Sequence, residues 1–221
     1  MSEAFLLSGF MALSGGFQDA YTYIVRGHVY ANAQTGNVVL MSTYLMEGKW
    51  HDALRYLLPL LAFALGVFVA ENIHHYLEQA RVLHWRQIVV LVEIGVMCAV
   101  GFMPQRLNLL ANMLVSFACA MQVQGFRTVH GYAYASTMCI GNLRSGTSAL
   151  THFAQTHDRR ELKRARYYFG VILSFAIGAG VGGVLSQRLL ERAIWMCVIF
   201  LAVAFLLMEL DRKKNAVARG A

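Results

Sequence analysis

Long apolar runs, each broken by a short polar or charged cluster, recur from one end of the chain to the other. A helix needs about 20 such residues to cross about 30 Å of hydrocarbon. The first run, from about Glu3 to Val25, carries Ser8, Gly9, Ser14, Gly15, Gly16, Gln18 and Asp19, too many small and polar groups for a helix surrounded by lipid. It is expected to face protein or water. Val29 to Gln34 then reads as extended and Thr35 to Met46 as a helix too short to span alone. Non-helical backbone at membrane depth survives only under a cover of protein or beside a wet cavity, so this element is expected to line one. Ala53 to Tyr76 is long and apolar, with Pro59 near its start and Glu71, Asn72, His74 and His75 near its end. Ile88 to Met103 is apolar except for Glu93 and is closed by Pro104. The plan then returns as Leu107 to Val123, Thr137 to Phe153, Tyr167 to Leu185 and Ile194 to Leu210.

Local motifs return in the same order. Gly36-Asn37 is echoed by Gly141-Asn142, with Ala135-Ser136-Thr137 upstream, and Ala62-Phe63-Ala64-Leu65-Gly66 by Ser174-Phe175-Ala176-Ile177-Gly178. The second pair of echoes lies slightly further apart, and the extra residues fall in the charged connection Asp158 to Arg166, read as a solvated loop. The chain therefore reads as one membrane domain of two related halves, residues 1–104 and 105–221, each with three spans and a short helix. The predicted fold is an all-α membrane protein with about six transmembrane helices plus two short broken or re-entrant helices. If the short helices re-enter, the halves are inverted; if they cross, there are eight crossings and the halves are parallel. Helix length favours the inverted arrangement.

Composition narrows the class. Of 221 residues, 57% are hydrophobic and 14% charged, against about 25% charged in a soluble domain. The net charge of +7 does not point to nucleic acid, because the basic residues lie between and after apolar segments. Arg159, Arg160, Lys163, Arg164 and Arg166, and then Arg212, Lys213 and Lys214, mark cytoplasmic ends and put both termini inside. Attraction of anionic lipid headgroups is their second use. The first run lacks a basic leader and a cleavage pattern, and reads as a retained span. Cys98, Cys119, Cys139 and Cys197 read as small buried hydrophobes. His74, His75 and His84 beside Trp85 read as interfacial groups, and no cofactor or metal is called for.

A helix that starts within the membrane leaves its first N–H groups unsatisfied and attracts anions. Two such ends are predicted, at Thr35, Gly36 and Asn37 and at Gly141 and Asn142. Arg26 precedes the first, Arg127 precedes the second, and Arg144 lies in the second helix's first turn. Membrane-embedded charge marks a pathway or is paired. Arg144 and Arg26 are thus candidate anion contacts, and for Arg144 the other reading is a structural ion pair with Asp19, Glu71 or Glu93 or a side chain snorkelled to the interface. Asp19, its second-half counterpart Gln124, and Glu93 are candidate coupling groups; neutralisation by a neighbouring arginine explains Asp19 equally well, and a buried partner of an arginine is the favoured reading of Glu93. Gly178 and Gly182 form a close-packing face for a neighbouring helix or a homodimer.

Gly16-Phe17-Gln18-Asp19-Ala20, Thr35-Gly36-Asn37-Val38 and Phe63-Ala64-Leu65-Gly66, in this order and size of chain, resemble the YoaK-like family of bacterial multispanning membrane proteins of unknown function. The resemblance implies a bacterial inner-membrane location and supplies no substrate. On physical grounds the expected function is a small secondary transporter or channel for an anionic or carboxylate-bearing solute. The rival is a non-transporting scaffold or sensor partner. An enzyme is not expected, since no nucleophile and base stand at a useful spacing.

Overall fold

A computed structural model describes residues 2–77, 84–129, 132–133 and 137–220. The regular structure of the described chain is helical apart from two short strands, Thr128–Val129 and Tyr132–Ala133, which pair antiparallel. Its helices are α1 (Ser2–Val25), α2 (Gln34–Met46), α3 (Trp50–Leu77), α4 (Trp85–Val100), α5 (Asn108–Gly125), α6 (Cys139–Thr156), α7 (Arg159–Leu189) and α8 (Trp195–Gly220). Ala135 and Ser136, the start of the second motif, lie outside the described residues.

The boundaries have local causes. After α1 the chain turns through Gly27, and after α2 through Gly48, both with positive φ. His84 starts α4 with a capping box, its side chain accepting from Arg86 N–H while the Gln87 side chain accepts from the His84 backbone. Asp158 caps α7 by accepting from Arg160 N–H at 2.8 Å. The expected solvated loop at Asp158 to Arg166 is therefore two turns of helix. A cap, an acidic residue in the first turn and good helix formers outweigh the lack of apolar periodicity.

Three helical stretches are long and apolar enough to cross a membrane: Trp50–Leu77, Gln105–Gly125 and Arg159–Lys214, the last taking in α7 and α8. They associate the chain with a membrane. Leu61, Leu65, Phe68, Leu173, Val184 and Leu206 are exposed on them, whereas Ser14, Gln18, Asn32, Glu93 and Asn112 are buried. Apolar outside and polar inside is the distribution that hydrocarbon favours.

Helix directions follow from the side chains that meet. α1 and α7 run parallel, with Phe5 on Gly170, Gly9 on Ser174, Leu13 on Gly178 and Phe17 on Gly182. α3 and α5 also run parallel, Gly66 meeting Phe117 and Glu71 meeting Gln124. α1 and α5 are antiparallel: Met11 meets Gln122, Gln18 meets Cys119 and Arg26 meets Asn112. α4 runs parallel to α1, through Gln18 with Glu93 and Arg26 with Val100, and antiparallel to α8, through Gln87 with Glu209 and Cys98 with Trp195. The two short helices are peripheral. α2 packs on α3, and α6 on α7.

Candidate functional site

The segments in front of the two short helices turn inward and meet on α1. Asn32 donates from Nδ2 to the Gly15 carbonyl at 3.2 Å. From the other side, the Thr137 methyl lies so close to Gly15 that any larger residue there would collide with it. Both Asn32 and Thr137 are buried. Gly15 thus lets the two segments reach one point.

One turn further along α1, the Asp19 carboxylate accepts from Asn32 N–H at 2.7 Å, with the N–H groups of Ala31 and Ala33 also turned toward it. No side chain caps α2 at Ala33, so Asp19 supplies the negative charge in front of that helix. Asp19 is also within electrostatic reach of Cys139, the first residue of α6.

Gln18 links this point to α4 and α5. Its Nε2 donates to Ser14 Oγ at 2.9 Å and to Glu93 Oε1 at 2.8 Å, and its Oε1 accepts from the Cys119 thiol. Glu93 is fully buried, and its Oε2 has no partner among the described residues. The buried arginine partner expected for Glu93 is replaced by an amide, because the arginine buried just after α1 points elsewhere. Asn32 Oδ1 is a second buried acceptor with no partner among the described residues.

That arginine is Arg26, 1% exposed. It donates to Tyr21 Oη at 2.8 Å, to the Val100 carbonyl at 2.9 Å and to Asn108 Oδ1 at 3.1 Å, and its guanidinium lies over the Tyr21 ring. A cation at the last carbonyl of α4 complements the negative end of that helix. Arg26 fastens α1 to the turn between α4 and α5, and stands apart from the meeting point at Gly15.

The Gly-Asn pairs occupy helix first turns as expected, with specific local work. Gly36 packs under the Tyr30 ring, where an added Cβ would come within 3.1 Å. Asn37 is fully buried and closes the approach to α2 as a clasp. It accepts from Tyr30 N–H at 3.1 Å and donates to the Tyr30 carbonyl at 2.7 Å and to Gln34 Oε1 at 2.9 Å. Thr35 is exposed. In α6, Asn142 is buried and engaged, whereas Gly141 and Arg144 are exposed and Gly141 has open space around its Cα.

Gln124 lies at the far end of α5. It donates to Glu71, which also pairs with Arg127 at 2.8 Å, beside a cavity of about 380 Å³ that His74, His84 and Trp85 help to line. Gln124 and Asp19 therefore sit at separate places. Gly178 and Gly182 are covered by Leu13 and Phe17 of α1, so this face is used within the chain and has no room for a second copy.

The sequence marks Ser14 among the small and polar groups of the first run and Thr137 upstream of the second short helix, but assigns neither of them, nor Asn32, to the site. The available signal was an asparagine and a threonine just upstream of two short helices, together with an i, i+4 pair of Ser14 and Gln18 in an apolar helix.

A family model described as a protein of unknown function, DUF1275, matches residues 7–207. No curated protein and no solved structure matches the chain.

Proposed function

The chain belongs to the DUF1275 family, whose description carries no activity, and for it we propose a small multi-pass membrane transporter made of two inverted repeats, residues 1–104 and 105–221. In this reading α1, α3, α4, α5, α7 and α8 cross the bilayer, while α2 and α6 enter and return. The antiparallel run of α1 against α5, and of α4 against α8, supports the inversion. A parallel duplication with eight crossings would run each of those pairs the same way. The glycine contacts add support: Gly66 of α3 meets the Phe117 carbonyl of α5, and its counterpart Gly178 of α7 meets the Leu13 carbonyl of α1. Basic groups at Arg159 to Arg166 and Arg212 to Lys214 argue for both termini inside. The resemblance to YoaK-like proteins argues for a bacterial inner membrane.

One observation carries the transport reading. The approaches to both short helices converge on Gly15, beside two buried carboxyl groups that have no arginine or lysine against them among the described residues. Inverted-repeat transporters form their sites where discontinuous helices meet near the midplane. The spare hydrogen-bonding capacity at this point is all acceptor, at Glu93 Oε2 and Asn32 Oδ1, so the centre suits a proton or a monovalent cation. Asp19 and Glu93 hold that species. The anion-attracting donors ahead of α2 already face Asp19, which leaves the open first turn of α6 at Gly141 and Arg144 for a carboxylate on the accompanying solute.

The test separates transport from the scaffold reading. A single cysteine is placed at Thr137→Cys, with Cys98, Cys119, Cys139 and Cys197 replaced by serine or alanine, and a membrane-impermeant thiol reagent is applied from each side. A transporter exposes position 137 to both sides in turn. Labelling from one side alone fits a scaffold with a one-sided cleft and contradicts the proposal.

A further inference from the structure

Where α6 ends and α7 begins, the chain turns back through His157, whose φ of 55° lies in the left-handed region. That turn sets the last turn of α6 beside the first two turns of α7 and leaves a cleft of about 850 Å³ between them. Its lining is of two kinds. Arg159, Lys163 and Arg166 lie at i, i+4 and i+7 on one face of α7, with His157 at the turn, while Phe153 and Leu162 supply apolar walls. The acidic groups nearby are directed elsewhere. The Asp158 carboxylate accepts from Arg160 N–H, and Glu161 pairs with Arg164, which itself lies over the Tyr168 ring. Arg159 and Arg166, with Lys163 between them, thus line a cleft that has no carboxylate in its lining among the described residues.

We infer that this cleft binds a phosphate group, with the phosphodiester headgroup of an anionic phospholipid as the form that also uses Phe153 and Leu162. Guanidinium groups match phosphate oxygens in pairs and the lysine adds a point charge. The apolar walls sit where the glycerol and the first acyl carbons of a lipid would lie. The site is independent of the centre at Gly15 and concerns how the chain is held by the lipid around it.

The purified full chain in an uncharged detergent is offered phosphatidylglycerol, phosphatidylcholine or inorganic phosphate. Retained lipid is read by native mass spectrometry and stability by the thermal midpoint. Phosphatidylglycerol is expected to stay bound and raise the midpoint, and phosphatidylcholine to do neither. Arg159→Gln and Arg166→Gln should each weaken retention about fivefold, whereas Arg160→Gln, one position outside the cleft, should leave it unchanged. A midpoint raised by inorganic phosphate alone, and lost in the same two variants, would identify free phosphate as the source of the same chemistry. Binding of neither phosphatidylglycerol nor phosphate would overturn the inference. So would an equal loss in Arg160→Gln, which would reduce the effect to bulk charge.

Discussion

A buried asparagine brings two donors and an acceptor oxygen that need partners, and Asn37 and Asn32 meet that need differently. Asn37 uses its whole amide on Tyr30 and Gln34, so it is a clasp that fixes the approach to α2. Removing a clasp of this kind leaves buried backbone groups unpaired. Asn37→Ala should lower stability by about 2 kcal/mol, measured as a fall in the thermal midpoint in detergent. Asn32 keeps an acceptor open beside Asp19, which is why it belongs to the candidate site. That difference was not legible in the sequence, where both are asparagines at the edge of one short helix. His84 gives a second test at this scale. Burial first, then Arg86 and His74, holds its pKa below the ordinary 6.5, and Glu71 and Arg127 line the same cavity. Below about pH 6.5 the unfolded chain takes up a proton that the folded one resists, so the cap stabilises at neutral pH and is lost on acidification. Protonation also removes the Nδ1 acceptor for Arg86 N–H. His84→Asn, which keeps an accepting cap, should flatten the fall in midpoint between about pH 7.5 and about pH 5.5. An unchanged fall in the variant would rule out His84 as its source.

At the scale of elements, the chain is assembled from glycine crossings as much as from apolar faces. Any side chain at Gly178 runs into the Leu13 carbonyl, and any at Gly66 into the Phe117 carbonyl. Gly180 faces open space. Gly178→Val and Gly66→Val are therefore expected to cost at least about 1–3 kcal/mol and to reduce the yield of folded protein, while Gly180→Ala is silent. The ends of α1, α2 and α4 fall close to the expected limits because apolar runs and turn residues mark them. The Asp158 to Arg166 stretch did not, since five basic residues in a row of polar ones look like a loop until Asp158 is seen as a cap. The role of Gly178 was legible only as a choice between a neighbouring helix and a second copy. α1 fills that face.

For the whole molecule, repeated motifs in the sequence suggested duplication, but lysine and arginine placement put both termini inside whether the halves were parallel or inverted. Direction is a property of tertiary contacts, and three of them, from Met11 to Arg26 against Gln122 to Asn112, run α1 and α5 opposite ways. The same packing brings Gln18 and Asp19 of α1, Glu93 of α4, Asn32 ahead of α2 and Thr137 ahead of α6 to one level. Among the described residues no arginine or lysine faces this buried set of acceptors, a placement that packing alone does not require. The most direct measurement is ion movement into sealed proteoliposomes, followed with a pH-sensitive dye and with cation indicators under imposed proton, sodium and potassium gradients. Wild type, Glu93→Gln and Asp19→Asn are compared, each checked for folding. Movement of a proton or a monovalent cation is expected in the wild type, falling to the level of empty liposomes in folded Glu93→Gln. Wild-type liposomes as tight as empty ones under every gradient, or Glu93→Gln and Asp19→Asn both moving ions at the wild-type rate, would contradict it.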